Sequence, residues 1–239
     1  MLFWIAALFS EIIGTTAGFG SSTIFLPLAL FFFDFKTALV LVAIFHMSGS
    51  IGRIAFFRHG LDKRLLLIFG IPSILLTIVG ALLVNYISQP VLKLVLGLFL
   101  IIYILISWND SFSVKPTSRS GIIGGSLSGF FAGLIGTGGA LRGAFLTSFR
   151  LEKSVYIATA AAISLAVDIT RIPIYLKSGF LPQDLLYLIP ILFITAIAGA
   201  WIGKKIVYKM PQKIFRKVVL AAIGLVSLKF IYEGVTYLL

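Results

Sequence analysis

The chain has 239 residues, of which 59% are hydrophobic and 12% charged, against roughly a quarter charged in an ordinary soluble domain. With a mean hydropathy of +1.10 it has too few charges to cover a soluble fold and too many apolar residues to stay disordered. The net charge of +12 sits in short gaps between apolar runs, as in a membrane protein rather than a nucleic-acid binder, and the lack of Cys excludes disulfides, thiolate metal sites and thiol nucleophiles.

Eight apolar segments follow one another, at 3–33, 36–57, 65–87, 91–108, 121–149, 154–176, 184–203 and 214–238. The opening stretch has no basic region and carries Glu11, so no cleavable signal is expected. The first segment is broken by GFGSS at 18–22, and the fifth by GTGGA at 136–140 with Arg142 just beyond. Each break is expected to leave two pieces of about 13–15 residues, roughly 20 Å each and short of a ~30 Å hydrocarbon core. Such pieces suit a re-entrant hairpin or a broken helix. The other six segments have the length of one crossing. The second carries His46 and Arg53, the sixth Asp168 and Arg171, and the polar stretch WNDSFSVKPTSRSG marks the middle of the chain.

That stretch separates two related halves. An offset of about 118 residues sets Gly18 against Gly136, Gly20 against Gly138 and Arg53 against Arg171, and Pro72 meets Pro190 at the same spacing. The repeats are placed at 1–108 and 121–239, with 109–120 as linker. Duplication with interrupted helices points to a secondary transporter. In the first half the basic gap follows the second segment (Arg53, Arg58, Lys63, Arg64). In the second half it moves to the gap after the seventh (Lys204, Lys205, Lys209, Lys213, Arg216, Lys217). The swap is what opposite orientation of the halves produces. With six full crossings, these residues and Lys115, Arg119, Arg150 and Lys153 fall on the cytoplasmic face, Lys36, Lys93 and Lys177 on the outer one. The expected fold class is therefore an all-α polytopic membrane protein of two inverted repeats. Each is a glycine-broken hairpin plus three transmembrane helices, and both termini lie outside.

A helix N-terminus has free N–H groups and a partial positive charge, so two of them facing one chamber make an anion site. The candidates for substrate binding are Gly18, Gly20, Ser21, Ser22, Thr23, Gly136, Thr137, Gly138, Gly139 and Arg142. Glycines here also serve tight helix packing, and Arg142 also reads as a structural arginine near a helix end. Glu11, His46, Asp168, Arg171 and Arg53 are the candidates for proton coupling or gating, because an ionisable group at membrane depth is costly. The plainer readings are a partner for a basic residue (Glu11), an ion pair at i, i+3 (Asp168 with Arg171) and a satisfied core histidine (His46).

The segments GFGSSTIFLPL and GFFAGLIGTGGALRGAFL resemble the two glycine-rich signatures of the TauE/SafE family, the sulfite-exporter-like group of the toluene-sulfonate uptake permease superfamily. The resemblance runs over essentially the whole chain. Ser21 and Ser22 stand where glycines are usual, and Phe145 stands where the second copy has a proline. It implies export of sulfite, sulfonates or related sulfur oxyanions across a prokaryotic inner membrane. The expected mechanism is alternating access, with an anion channel as the alternative. Neither H-E-x-x-H nor G-x-S-x-G occurs, so no enzymatic activity is expected, and no metal or cofactor. The expected partners are a small anion, the lipid bilayer and, if transport is coupled, protons; nucleic acid is not among them.

Overall fold

The computed structural model of the chain describes residues 1–17, 20–57, 60–108, 114–206 and 212–238, and every regular element in them is helical. In order these are α1 (Leu2–Ala17), α2 (Ser22–Ala29), α3 (Phe35–Phe56), α4 (Lys63–Leu65), α5 (Ile71–Leu83) and α6 (Gln89–Trp108). Then come α7 (Ser118–Ile135), α8 (Gly139–Leu146), α9 (Lys153–Lys177), α10 (Leu188–Ile206) and α11 (Gln212–Leu238). A π-helical turn at Leu66–Gly70 joins α4 to α5. Five stretches are long and apolar enough to cross a bilayer: Phe35–Phe56, Lys63–Tyr86, Gln89–Ile106, Lys153–Lys177 and Leu188–Ile206.

Local chemistry sets the boundaries. The Asp34 carboxylate accepts from the backbone N–H of Lys36 and Thr37 and starts α3. Thr117 and Ser120 form a reciprocal capping box on α7. Gly136, at φ 75°, ends α7 in the left-handed conformation that a side chain disfavours.

Each broken segment doubles back on itself. Phe3, at the start of α1, packs its ring on Phe25, Phe32 and Phe33, along and just beyond α2. In the second half a Cβ on Gly124, near the start of α7, would run into the Phe145 ring of α8. The pieces are less equal than the sequence suggests: 16 and 8 residues in the first half, 18 and 8 in the second. The second pieces are cut short because Asp34 opens a new helix and because Arg150, at φ 52°, turns the chain out of its helical path.

The central helices α3 and α9 pack against each other and run antiparallel. Lys36, at the start of α3, lies over the ring of Phe180, past the end of α9. At the opposite end, the Asp62 backbone N–H donates to Thr159 Oγ1 (3.0 Å), early in α9. Helices α6 and α11 are antiparallel too, with Lys93 bound to Glu233 (2.8 Å). The remaining packing exchanges between the halves: α5 lies on α7 and α10 on α1. On α7, Gly125, Gly129 and Gly133 let the α5 backbone come close enough for Ser73 and Thr77 to donate to the carbonyls of Gly125 and Gly129 (2.9 and 3.0 Å).

Polarity is arranged as in a bilayer protein. Leu105 and Ile194 are 66% and 67% exposed, whereas Glu11 and Asp168 are fully buried. A surface of large aliphatic side chains around a charged interior is stable when hydrocarbon is the solvent.

Candidate functional site

The two breaks meet inside the bundle. Helices α2 and α8 touch at their starts, where the hydroxyls of Thr23 and Thr137 share a hydrogen bond of 2.8 Å. Ser21 stands at the N-cap of α2 and Gly138 at that of α8, and neither helix has a side-chain cap. The first N–H groups of both therefore have no capping side chain. Gly20 reaches this position at φ 94°. Gly138 is pinned by Ser128 Oγ, which donates to its carbonyl (2.8 Å), and the same carbonyl accepts from the Arg142 backbone N–H (2.9 Å). Ser22 and Gly139 are the first residues of α2 and α8, and both are buried. Gly18 lies outside the described residues.

Two charged clusters flank the meeting point. On one side Glu11 of α1 and Arg53 of α3 form a buried ion pair. Thr15 Oγ1 adds a bond to the same carboxylate oxygen (3.1 Å), and Arg53 Nη2 donates to Ser50 Oγ (2.9 Å). Gly49 makes room for this carboxylate, since a Cβ there would overlap it. On the other side Asp168 of α9 receives Arg171 Nε on Oδ1 (2.9 Å) and His46 Nδ1 on Oδ2 (2.8 Å). Arg171 Nη1 continues to the Ala132 carbonyl on α7 (2.6 Å), and the Tyr175 hydroxyl donates to the neighbouring carbonyl of Gly133 (2.5 Å).

Arg142 sits between these clusters, 2% exposed, and interacts electrostatically with Asp168, Arg53, Tyr156 and Arg171. Of the buried side-chain atoms among the described residues, His46 Nε2 and Arg142 Nε have no hydrogen-bond partner, while the Ser21 hydroxyl and the Glu11 carboxylate interact with each other. All four residues are ones that the sequence singles out. A Cβ on Gly20 would lie 2.5 Å from His46 Nε2, so that nitrogen points at the turn preceding α2. A buried polar atom without a partner is costly, and His46 Nε2 and Arg142 Nε are two such atoms close to the uncapped helix starts.

Sequence reasoning pairs Asp168 with Arg171 by their spacing, and the fold does the same. The bond from Asp168 to His46 crosses from one half to the other and has no signal in a linear pattern. Thr15, Ser50 and Tyr175, which bind or flank the charged groups, and Ser128, which pins Gly138, look like ordinary membrane-helix residues. A small residue one turn from an ionisable one was the available cue for Gly49, in the run S-G-S before Arg53.

Apolar outer walls around a buried polar centre, with five helical stretches among the described residues long and apolar enough to cross a bilayer, define a polytopic α-helical membrane protein. The sequence matches the family "Sulfite exporter TauE/SafE" over residues 3–230, and the chain belongs to that family of membrane transporters. No curated protein and no solved structure matches the chain.

Proposed function

We propose that the chain is a secondary transporter that exports a small sulfur oxyanion, sulfite or an organosulfonate, from a prokaryotic cell across its inner membrane, and that it carries out no chemical conversion. The two halves, 1–108 and 121–239, are inverted copies joined by a linker at 109–120. The antiparallel course of α3 with α9 and of α6 with α11 supports this, because these pairs are equivalent helices of the repeat. The hairpins α1–α2 and α7–α8 enter from opposite faces and meet near the midplane. The face bearing Arg64, bonded to Ser118 (3.0 Å), and Lys204, over the Phe56 ring, is cytoplasmic.

The anion is held by backbone N–H groups at 21–23 and 138–141, since the Gly20 N–H is already donated to the Gly14 carbonyl (3.3 Å), by the hydroxyls of Ser21, Ser22, Thr23 and Thr137, and by Arg142. One observation carries this: the unpartnered donor Arg142 Nε is buried on α8, whose start, like that of α2, has no side-chain cap. A tetrahedral or pyramidal oxyanion offers several lone pairs to such donors in a small volume. The direct bond between Thr23 and Thr137, with Ser21 and Arg142 nearly sealed from solvent, favours alternating access over a continuously open channel.

The test is a proteoliposome flux screen over sulfite, sulfate, thiosulfate, taurine and sulfoacetate, run with wild type and Arg142→Ala. Saturable wild-type flux of at least one sulfur oxyanion is expected, with loss of flux in the variant at normal insertion. Wild-type flux in Arg142→Ala removes that side chain from the site, and no flux of any of the five anions refutes the substrate class.

A further inference from the structure

We propose that His46 is the proton-binding group of the anion site, so that an anion settles at the start of α2 only together with a proton on His46 Nε2. This deepens the anion-site reading above and rests on it.

The argument begins with Asp168. Its Oδ1 receives Arg171 and its Oδ2 faces His46 Nδ1. An ion-paired carboxylate only accepts hydrogen bonds, so Nδ1 carries the hydrogen of that bond. The tautomer of neutral His46 is thereby fixed, and Nε2 is left with a lone pair. That nitrogen is 3% exposed by residue, has no partner, and is aimed at Gly20. The unpartnered Arg142 Nε, by contrast, brings a hydrogen to the site. An anion brings only lone pairs, so it is repelled by neutral Nε2. With a proton on Nε2 the same contact becomes a charge-assisted hydrogen bond.

The other two carboxylate candidates do not serve. Asp168 is engaged on both oxygens. Glu11 is committed to Arg53 and Thr15, and its carboxylate also meets the Ser21 hydroxyl. His46 has its free lone pair aimed at the turn before α2, and by gaining a proton there it changes from a group that opposes an anion to one that holds it.

The groups around His46 tune this exchange. Asp168 and Arg171 face it from α9, Arg142 from α8 and Arg53 from its own helix, while α1 brings Glu11 to Arg53 and α6 brings Tyr103 to the same core. From α2 it meets Gly20, and α10 presents Ala200 and Ile197 to α3 beside Gly52. Before an anion arrives, Arg53 and Arg142 oppose a second positive charge on the ring. An anion between Arg142 and His46 cancels that opposition. Occupancy and protonation thus favour each other, and by linkage each raises the affinity for the other to the same extent. The proton comes from solvent on the open side and returns to solvent when the anion leaves.

Methanesulfonate is the discriminating probe, since it remains an unprotonated anion throughout the usable pH range. Its binding to the purified full-length protein is measured by titration calorimetry in buffers of different ionisation enthalpy. The number of protons taken up follows from the slope. About one proton per anion is expected above pH ~7.5, where free histidine is neutral, with Kd rising up to about tenfold per pH unit there. His46→Gln keeps an amide donor and is expected to bind with no proton uptake and a flat pH profile; His46→Asn is the second variant. Wild-type binding without proton uptake overturns the inference and leaves the anion site standing. So does uptake that persists in a variant. Binding of sulfite but not of methanesulfonate also overturns it, because the proton then travels on the ligand. If neither anion binds, the anion site itself fails. Where His46→Gln does not fold, His46→Asn carries the assignment, and a wild-type count of zero overturns the inference whatever the variants do.

Discussion

The clusters around Arg53 and Arg171 occupy equivalent places in the two halves and are wired differently. Each arginine ties its central helix to the first helix of its own hairpin. Arg53 reaches Glu11 on α1, whereas Arg171 reaches the Ala132 carbonyl on α7. The mechanical task is shared, but the negative charge has moved. In the first half it comes from the hairpin. In the second it lies three residues before the arginine on the same helix, and from there it reaches across the seam to His46. The second cluster therefore connects the halves, and the first stays within its own. If the halves are inverted copies, as proposed, their common frame follows from the repeat, and the contact proposed to be proton-sensitive belongs to the cluster in which the two halves have diverged.

The largest expected effect separates the clusters by stability. Asp168 serves Arg171 Nε and Nη2 as well as His46 Nδ1, whereas Glu11 serves Arg53 and Thr15. Removing one member of a buried pair leaves an uncompensated charge at a cost of about 3–5 kcal/mol. Asp168→Asn is expected to approach the upper figure and Glu11→Gln the lower, read as unfolding midpoints in the same detergent. Equal losses, or a larger loss at Glu11, break the proposed asymmetry.

A smaller effect sharpens the same comparison through packing. Position 49 is glycine because the Glu11 carboxylate occupies the space where its Cβ would be. The offset that aligns Arg53 with Arg171 sets Gly49 against Val167, which is buried on a helix that receives no carboxylate from its hairpin. Gly49→Ala overfills the site and is expected to cost about 1–3 kcal/mol. Val167→Ala only trims a side chain and is expected to cost about 0.5–1.5 kcal/mol, by analogy with small buried deletions. A neutral Gly49→Ala would mean that Glu11 lies elsewhere in the working protein. Unfolding in detergent reads both.

The contrast also shows what a linear sequence can and cannot reveal. The apolar spans, the two glycine breaks and the swap of basic gaps are periodic or compositional features, so they are visible without coordinates. The pair Asp168–Arg171 is visible because both residues lie on one helix face. The partner of Arg53 is 42 positions away, and that of His46 is 122, so their pairing depends on how α1, α3 and α9 cross. The unequal hairpin arms were hidden for a related reason. Apolar residues continue past Ala29 to Phe33, but Asp34 caps the next helix and ends the short one early. Hydrophobic patterning cannot register a boundary that is set by one capping side chain.

The smallest expected effect concerns the side-chain hydrogen bond between the two breaks. Thr23 lies in the first turn of α2 and Thr137 just before the N-cap of α8, and their hydroxyls bond to each other across the seam between the halves. In a neutral pair of this kind each partner contributes about 0.5–1.5 kcal/mol. A double-mutant cycle with Thr23→Val and Thr137→Val is expected to give a coupling in that range for the ligand-free protein. If alternating access parts the two loops, the bond exists only while the site is closed. Weakening it then shifts the balance towards open forms, and transport of a bound anion is expected to speed up or hold steady while the closed form loses stability. A coupling that persists unchanged when the protein is trapped open would show that the two helix starts move as one body. The comparison would then rest on the clusters around Arg53 and Arg171 alone, and the moving seam would have to lie between α3 and α9.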